Sequence, residues 1–316
     1  MKNLITAAVA ALGIAISAVS AIAADWAPPG PIKLMIAFAA GGGADTQARL
    51  IAEEMESRTG WQFIPEQVTG KGGVNLLVEM KNMPNDGSVI GMVVTESLGY
   101  NLYSAKTGMK PADFTGLTTT AGFQMGVVAQ TSKGWNSFED VVAAAKAGEQ
   151  LRFGVMSPRL ADLAYLLGKA QGVEFNIVSV KGGKAVMNGV TAGDMDLGFM
   201  AGIQAKGVAA GDLVNLASAL SAPLVQTPDA PTFADLGVTY DSDGYFMFAA
   251  PAGLPEDART ALTDAIVGIV SDPETKAGGL IKKAFGGPSI IKGADLDALM
   301  AKGYDESEGL IKAASE

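Results

Sequence analysis

The feature that most constrains this chain is the alternation of short apolar runs with helix-forming runs along residues 31–270. A strand followed by a crossover helix, repeated many times, builds parallel sheets covered by helices. The mature part opens this way: Pro31–Phe38 is a predicted strand, Ala39–Gly43 a turn of small residues, and Asp45–Arg58 a helix. Ala48, Ile51, Ala52 and Met55 share one face of that helix, and Gly60 ends it. Further strands are expected at 88–94, 122–129, 151–155, 175–180, 195–200, 214–219 and 245–250. Helices fall between them, among them 137–147, where Ser137 and Asp140 approximate a capping box, and 259–270.

A chain of 316 residues suits two domains, each able to bury a core of its own. The apolar strands near 122–129 and 245–250 bracket a central block, so they are the segments expected to cross between domains. Domain one is then 25–122 plus 246–316, and domain two is 123–245. Each is expected to be a mainly parallel sheet flanked by helices, with a cleft between the two.

Residues 1–24 stand outside this pattern. Lys2 gives a positive start, Leu4–Ile22 is uncharged and mostly apolar, and Ala21-Ile22-Ala23 is a small-x-small cleavage site. These traits predict a cleaved signal peptide and an exported, periplasmic mature protein. The alternative, an uncleaved membrane anchor, is opposed by the alanine-rich run.

Composition narrows the chemistry. The chain has no Cys and no His, which removes disulfides, thiolate catalysis, the Ser-His-Asp arrangement and most zinc sites. Without Lys2, 22 Lys and Arg face 33 Asp and Glu. A field of that sign repels nucleic acid and anionic lipid, and any anionic ligand must then be held by local amides and helix ends. The close carboxylate pairs, Glu53-Glu54 and Asp194 with Asp196, show no catalytic pattern, and no cofactor motif fits.

Several loops could hold an anion. Ala39–Asp45 places Gly41, Gly42 and Gly43 between a strand and a helix start, where unpaired N–H groups carry partial positive charge. The same loop also fits a tight turn capped by Asp45 or Thr46. Lys181, Gly182 and Gly183 repeat the arrangement before a helix at 184–192, and a loop with a solvated lysine fits equally. Ser157 is a predicted N-cap with Pro158 at the first helical position. Arg159, disfavoured in a first turn by the helix dipole, either faces an anion or pairs with Asp162. Thr95 and Ser97 are candidate hydroxyl donors just beyond a strand end, where cleft ligands sit in such sheets. Gly70-Lys-Gly-Gly73 is a weaker candidate.

In order, Ile36–Asp45 with Ala48-Arg49-Leu50, Gly70–Gly73, Pro84–Gly87, Lys110–Phe114, Lys181–Gly183, Gly193–Leu197, Pro231–Gly237 and Phe248–Gly253 resemble the extracytoplasmic receptors of tripartite tricarboxylate transporters, the Bug receptor family. The resemblance implies a two-domain periplasmic binding protein of Venus-flytrap type. In it, the loop from Phe38 through Ala40, the glycines and Ala44 to Asp45, and the loop at Lys181–Gly183, grip a carboxylate through backbone N–H groups. It implies a non-enzymatic receptor without cofactor, monomeric, handing its ligand to a two-component membrane permease. A receptor presenting ligand to a sensor kinase is the alternative, separable by neighbouring genes. This chain departs from the family in having Ala39 and Ala40 where prolines are common, and Met200 where an acidic residue is. Met200 disfavours an amino-group ligand, and Arg159 would suit a second carboxylate. A dicarboxylate is therefore expected, with an aromatic acid as the other option because Phe38 and Met200 offer apolar walls.

Overall fold

The structure is a computed structural model that describes residues 26–316; the predicted signal segment lies outside the described residues. Among the described residues, ten strands form two five-stranded sheets. The first joins β1 (Ile32–Ile36), β2 (Phe63–Gln67), β3 (Val89–Val94), β4 (Phe114–Gly122) and β10 (Tyr245–Pro251) in the order β2-β1-β3-β10-β4. The second joins β5 (Met125–Gln130), β6 (Arg152–Val155), β7 (Asn176–Ser179), β8 (Leu197–Ala201) and β9 (Leu213–Ser218) in the order β7-β6-β8-β5-β9.

Both sheets are mixed in the same way. β10 runs antiparallel to both neighbours in the first sheet, and β5 does so in the second. These are the first strands after each change of sheet: the chain leaves the first sheet between Gly122 and Met125 and returns by Tyr245. The two crossings meet, since Phe123 N–H donates to the Gly244 carbonyl at 2.9 Å. Gly244 is needed there, because a Cβ would lie 2.5 Å from the Phe123 ring.

Helices cover the sheets. The first unit carries α1 (Gly43–Thr59), α2 (Val74–Met80), α3 (Thr95–Leu98) and α4 (Tyr100–Ser104). The second carries α5 (Phe138–Lys146), α6 (Pro158–Gln171), α7 (Gly183–Ala192) and α8 (Ala205–Ala210). After β10 come α9 (Glu256–Val270), α10 (Lys276–Phe285), α11 (Gly293–Asp305) and α12 (Ser307–Ser315). The last helix packs on α6 of the second unit as well as α4 of the first.

The predicted elements recur with ends shifted by a few residues. β3, Val-Ile-Gly-Met-Val-Val, is buried throughout, as a central strand covered on both faces must be. The expected apolar face of α1 is buried, and Gly60 ends it with a left-handed φ of 76°. The Ser137–Asp140 capping box is present on α5. Two strands were not expected from the sequence. β2 is an edge strand containing Pro65 with only Phe63 buried, so it shows no alternation. β4 is rich in threonine, and its buried hydroxyls are satisfied within the fold: Thr119 donates to the Ser289 carbonyl at 2.6 Å and Thr120 to Gln47 Oε1 at 2.7 Å. The strand expected at 122–129 is therefore the end of β4, a crossing and then β5.

Candidate functional site

The loops after β1 and β7 meet between the units. Ala39 N–H donates to the Lys181 carbonyl at 3.1 Å. Gly182, at φ 112°, lies so close that a Cβ would be 3.2 Å from Ala39 N and 3.4 Å from Phe38 Cβ. Each loop runs into a helix whose N-cap is a glycine without a side-chain cap: Gly42 for α1 and Gly182 for α7. The first N–H groups of a helix have no intrahelical partner and carry partial positive charge, so two helix starts open onto the space between the loops.

That space is a cavity of about 50 Å³, closed mainly by apolar groups. Phe38, Gly42, Gly43 and Ala44 line it from the first unit, and Ser157 and Gly183 from the second. Phe123, Met125, Met156 and Phe246 add apolar walls.

The other predicted residues sit differently. Asp45 is buried and holds its own loop: Oδ2 accepts from Gly41 N–H at 2.8 Å, and Oδ1 accepts from Arg49 Nε at 2.8 Å and from the Gln67 amide. Ala40 and Gly41 face outward. Lys181 contributes its carbonyl to the loop contact and leaves its side chain exposed. Thr95 Oγ1 accepts from Tyr245 N–H at 3.0 Å, and Ser97 donates to the Gly72 carbonyl at 2.7 Å, so both hydroxyls are engaged in the scaffold.

Two expectations require correction. Met200 is fully buried in the second unit's core with Val186 and Val190; side chains alternate along a strand, and its neighbour Ala201 lines the cavity instead. Arg159 does not pair with Asp162. Its Nη2 donates to the Asp241 carbonyl at 2.7 Å and its Nη1 lies 3.7 Å from Glu96 Oε1, while Asp162 accepts from the Tyr100 hydroxyl. Arg159 lines a wider neighbouring recess of about 520 Å³ between α6 and the C-terminal helices.

Glu96, between the two predicted hydroxyl residues, lines both the cavity and the recess. It is buried, and Ser157 Oγ lies 3.4 Å from its Oε2 as a donor. Burial pushes its carboxyl above the ordinary range, with Arg159 and the Ser157 hydroxyl partly offsetting this. Asp196, the other carboxylate singled out above, is structural. Burial works against its charge, but bonds from Arg152 at 3.0 Å and Lys133 at 2.5 Å outweigh it and hold its pKa at about 2.

Two mixed sheets around a cleft, with glycine-capped helix starts converging from both sides, define a two-domain α/β solute-binding protein. Residues 47–313 match the model of the tripartite tricarboxylate transporter family receptor, TctC, and the chain belongs to that family. It is 29% identical over 268 residues to a UPF0065 protein of Cupriavidus necator, covering 83% of this chain and 80% of that one. It is 24% identical over 269 residues to BugT of Bordetella pertussis, covering 78% of each. Solved structures share the fold: MatC of Rhodopseudomonas palustris with bound malate (TM-score 0.77, 18% identity, 90% of this chain and 99% of that one). A second R. palustris protein, with adipate, has a TM-score of 0.77 at 22% identity, covering 91% and 98%. The periplasmic binding protein BugD has 0.78 at 21%, covering 92% and 99%.

Proposed function

We propose that this protein captures a small carboxylate between domains 25–122 plus 246–316 and 123–245, and delivers it, in the periplasm, to a two-component permease of the tripartite tricarboxylate type. The observation that carries the reading is the convergence of two uncapped helix starts, α1 and α7, on one cavity, their preceding loops joined by the Ala39–Lys181 backbone bond. Gly42, Gly43, Ala44, Gly183 and Ser157 are the groups assigned to the carboxylate, with Phe38 as a wall. Ala40, Gly41, Asp45, Lys181 and Gly182 shape the loops, Thr95 and Ser97 tie α3 to Tyr245 and Gly72, and Arg159 braces the interface.

The space in contact with both helix starts is compact, which favours a short acid over an aromatic one. A dicarboxylate, the class favoured by Arg159 alone, would have its second charge reach the guanidinium only past Glu96. Support for a carboxylate comes also from relatives of the same fold solved with malate and adipate.

Mass spectrometry of the co-purifying small molecule, followed by calorimetry against mono-, di- and tricarboxylates, aromatic acids and neutral sugars, tests the reading. Saturable binding of a carboxylate without turnover is the expected result. Tight binding of a sugar with no carboxylate bound would overturn it.

A further inference from the structure

Glu96 is the one group in the cavity whose chemistry a carboxylate grip leaves unused. Its side chain is 4% exposed. Oε2 has the Ser157 hydroxyl, whereas Oε1 is buried without a hydrogen-bond partner, Arg159 Nη1 standing off at 3.7 Å. Besides Glu96, the cavity is walled by Val94, Phe123, Met125, Leu160 and Phe246, none of which can donate a hydrogen bond from its side chain. A buried acceptor left unpaired is costly, and more so when it is charged.

A second ionised carboxylate placed here would lie against the Glu96 carboxyl among walls whose side chains offer it no hydrogen bond. A purely apolar tail would leave Oε1 as it is. A donor on the ligand would satisfy the oxygen and be rewarded for doing so. We infer that Glu96 determines specificity: the bound acid carries, beyond the carboxylate held by the helix starts, a hydroxyl or ammonium group that donates to the Glu96 carboxyl. The inference rests on the carboxylate reading of the cavity and narrows it to hydroxy- or amino-substituted acids. It also reopens the amino-group ligands that Met200 spoke against, because the carboxyl lies on α3 rather than at the end of β8.

Calorimetry with butanoate and its hydroxy and amino derivatives at each carbon, repeated with propanoate and its set, tests it. Wild-type protein should bind one donor-bearing member at least about tenfold more tightly than the unsubstituted parent, the scale of a hydrogen bond to a charged group. In Glu96→Met that preference should vanish, with the parent acid binding as well as or better than before. Glu96→Gln should keep a preference for a hydroxyl and lose one for an ammonium, which distinguishes the two donors; near-UV dichroism checks that each variant is folded. If carboxylates bind wild type with no gain from a donor, or if the preference survives in Glu96→Met, Glu96 is not the determinant, although the receptor reading stands. If no carboxylate binds at all, both fall.

Discussion

At the scale of single residues, several polar side chains near the cavity brace the fold, while the helix-start amides assigned to the carboxylate belong to the main chain. Arg159 illustrates the division. Its guanidinium is tied to the Asp241 carbonyl and sits beside buried Glu96, so Arg159→Ala leaves that carboxyl uncompensated. Its loss should weaken mono- and dicarboxylates by similar factors in calorimetry; selective loss of dicarboxylates would return Arg159 to the distal end of the ligand. Gly182→Ala is a complementary probe. Its positive φ strains any side chain, and a methyl group 3.2 Å from Ala39 N would push the two loops apart. Carboxylate affinity should fall about tenfold or more while the second unit stays folded. The sequence made the glycine loops legible because glycine is costly without a use. It did not make Glu96 legible, because the direction of Thr95, Glu96 and Ser97 depends on contacts with Tyr245 and Gly72, which are distant in sequence.

At the scale of elements, local rules performed well wherever one segment carried its own signal. The Ser137–Asp140 box on α5 is an example: Asp140 Oδ2 accepts from Asn136 N–H at 2.8 Å and Ser137 N–H at 3.0 Å. Asp140→Ala should lower the midpoint of denaturant unfolding, because two N–H groups at the start of α5 lose their acceptor. β2 and β4 escaped because edge position and tertiary hydrogen bonding, rather than alternation, make them strands. The end of β6 depends on Asp196, which accepts from both the backbone and side chain of Arg152. Its carboxyl is depressed to about 2, so the stability it contributes is present above pH 4 and is lost as pH falls toward 2. Asp196→Asn should flatten that acid limb of a pH–Tm profile and lower Tm at pH 7. The cost should be modest because both cations can turn to solvent.

At the scale of the whole molecule, the two units touch through groups whose charge depends on pH. Asp162 on α6 accepts from Tyr100 on α4, and burial there pushes its carboxyl up to about 6. Burial at the interface also raises Glu96. A raised carboxyl binds protons more readily when buried between the units than in water, so this contact is favoured at low pH and weakened as pH rises through about 6. Small-angle scattering should show a more compact mean form at pH 5 than at pH 7. Asp162→Asn should remove most of that difference. The two-unit plan itself was legible from strand spacing, whereas the pairing of Phe123 with Gly244 at the crossings was not, since nothing local announces it.

In the proposed grip, the uncapped starts of α1 and α7 hold the carboxylate by atoms that every amino acid possesses. Side-chain replacement therefore passes over the grip: an alanine scan would find the braces and miss what they brace. Deleting a hydrogen-bonding atom there calls for editing the chain itself, such as an ester in place of the amide at Ala44. The same immunity leaves relatives free to rebuild the cavity walls for new acids while keeping one way of holding the carboxylate.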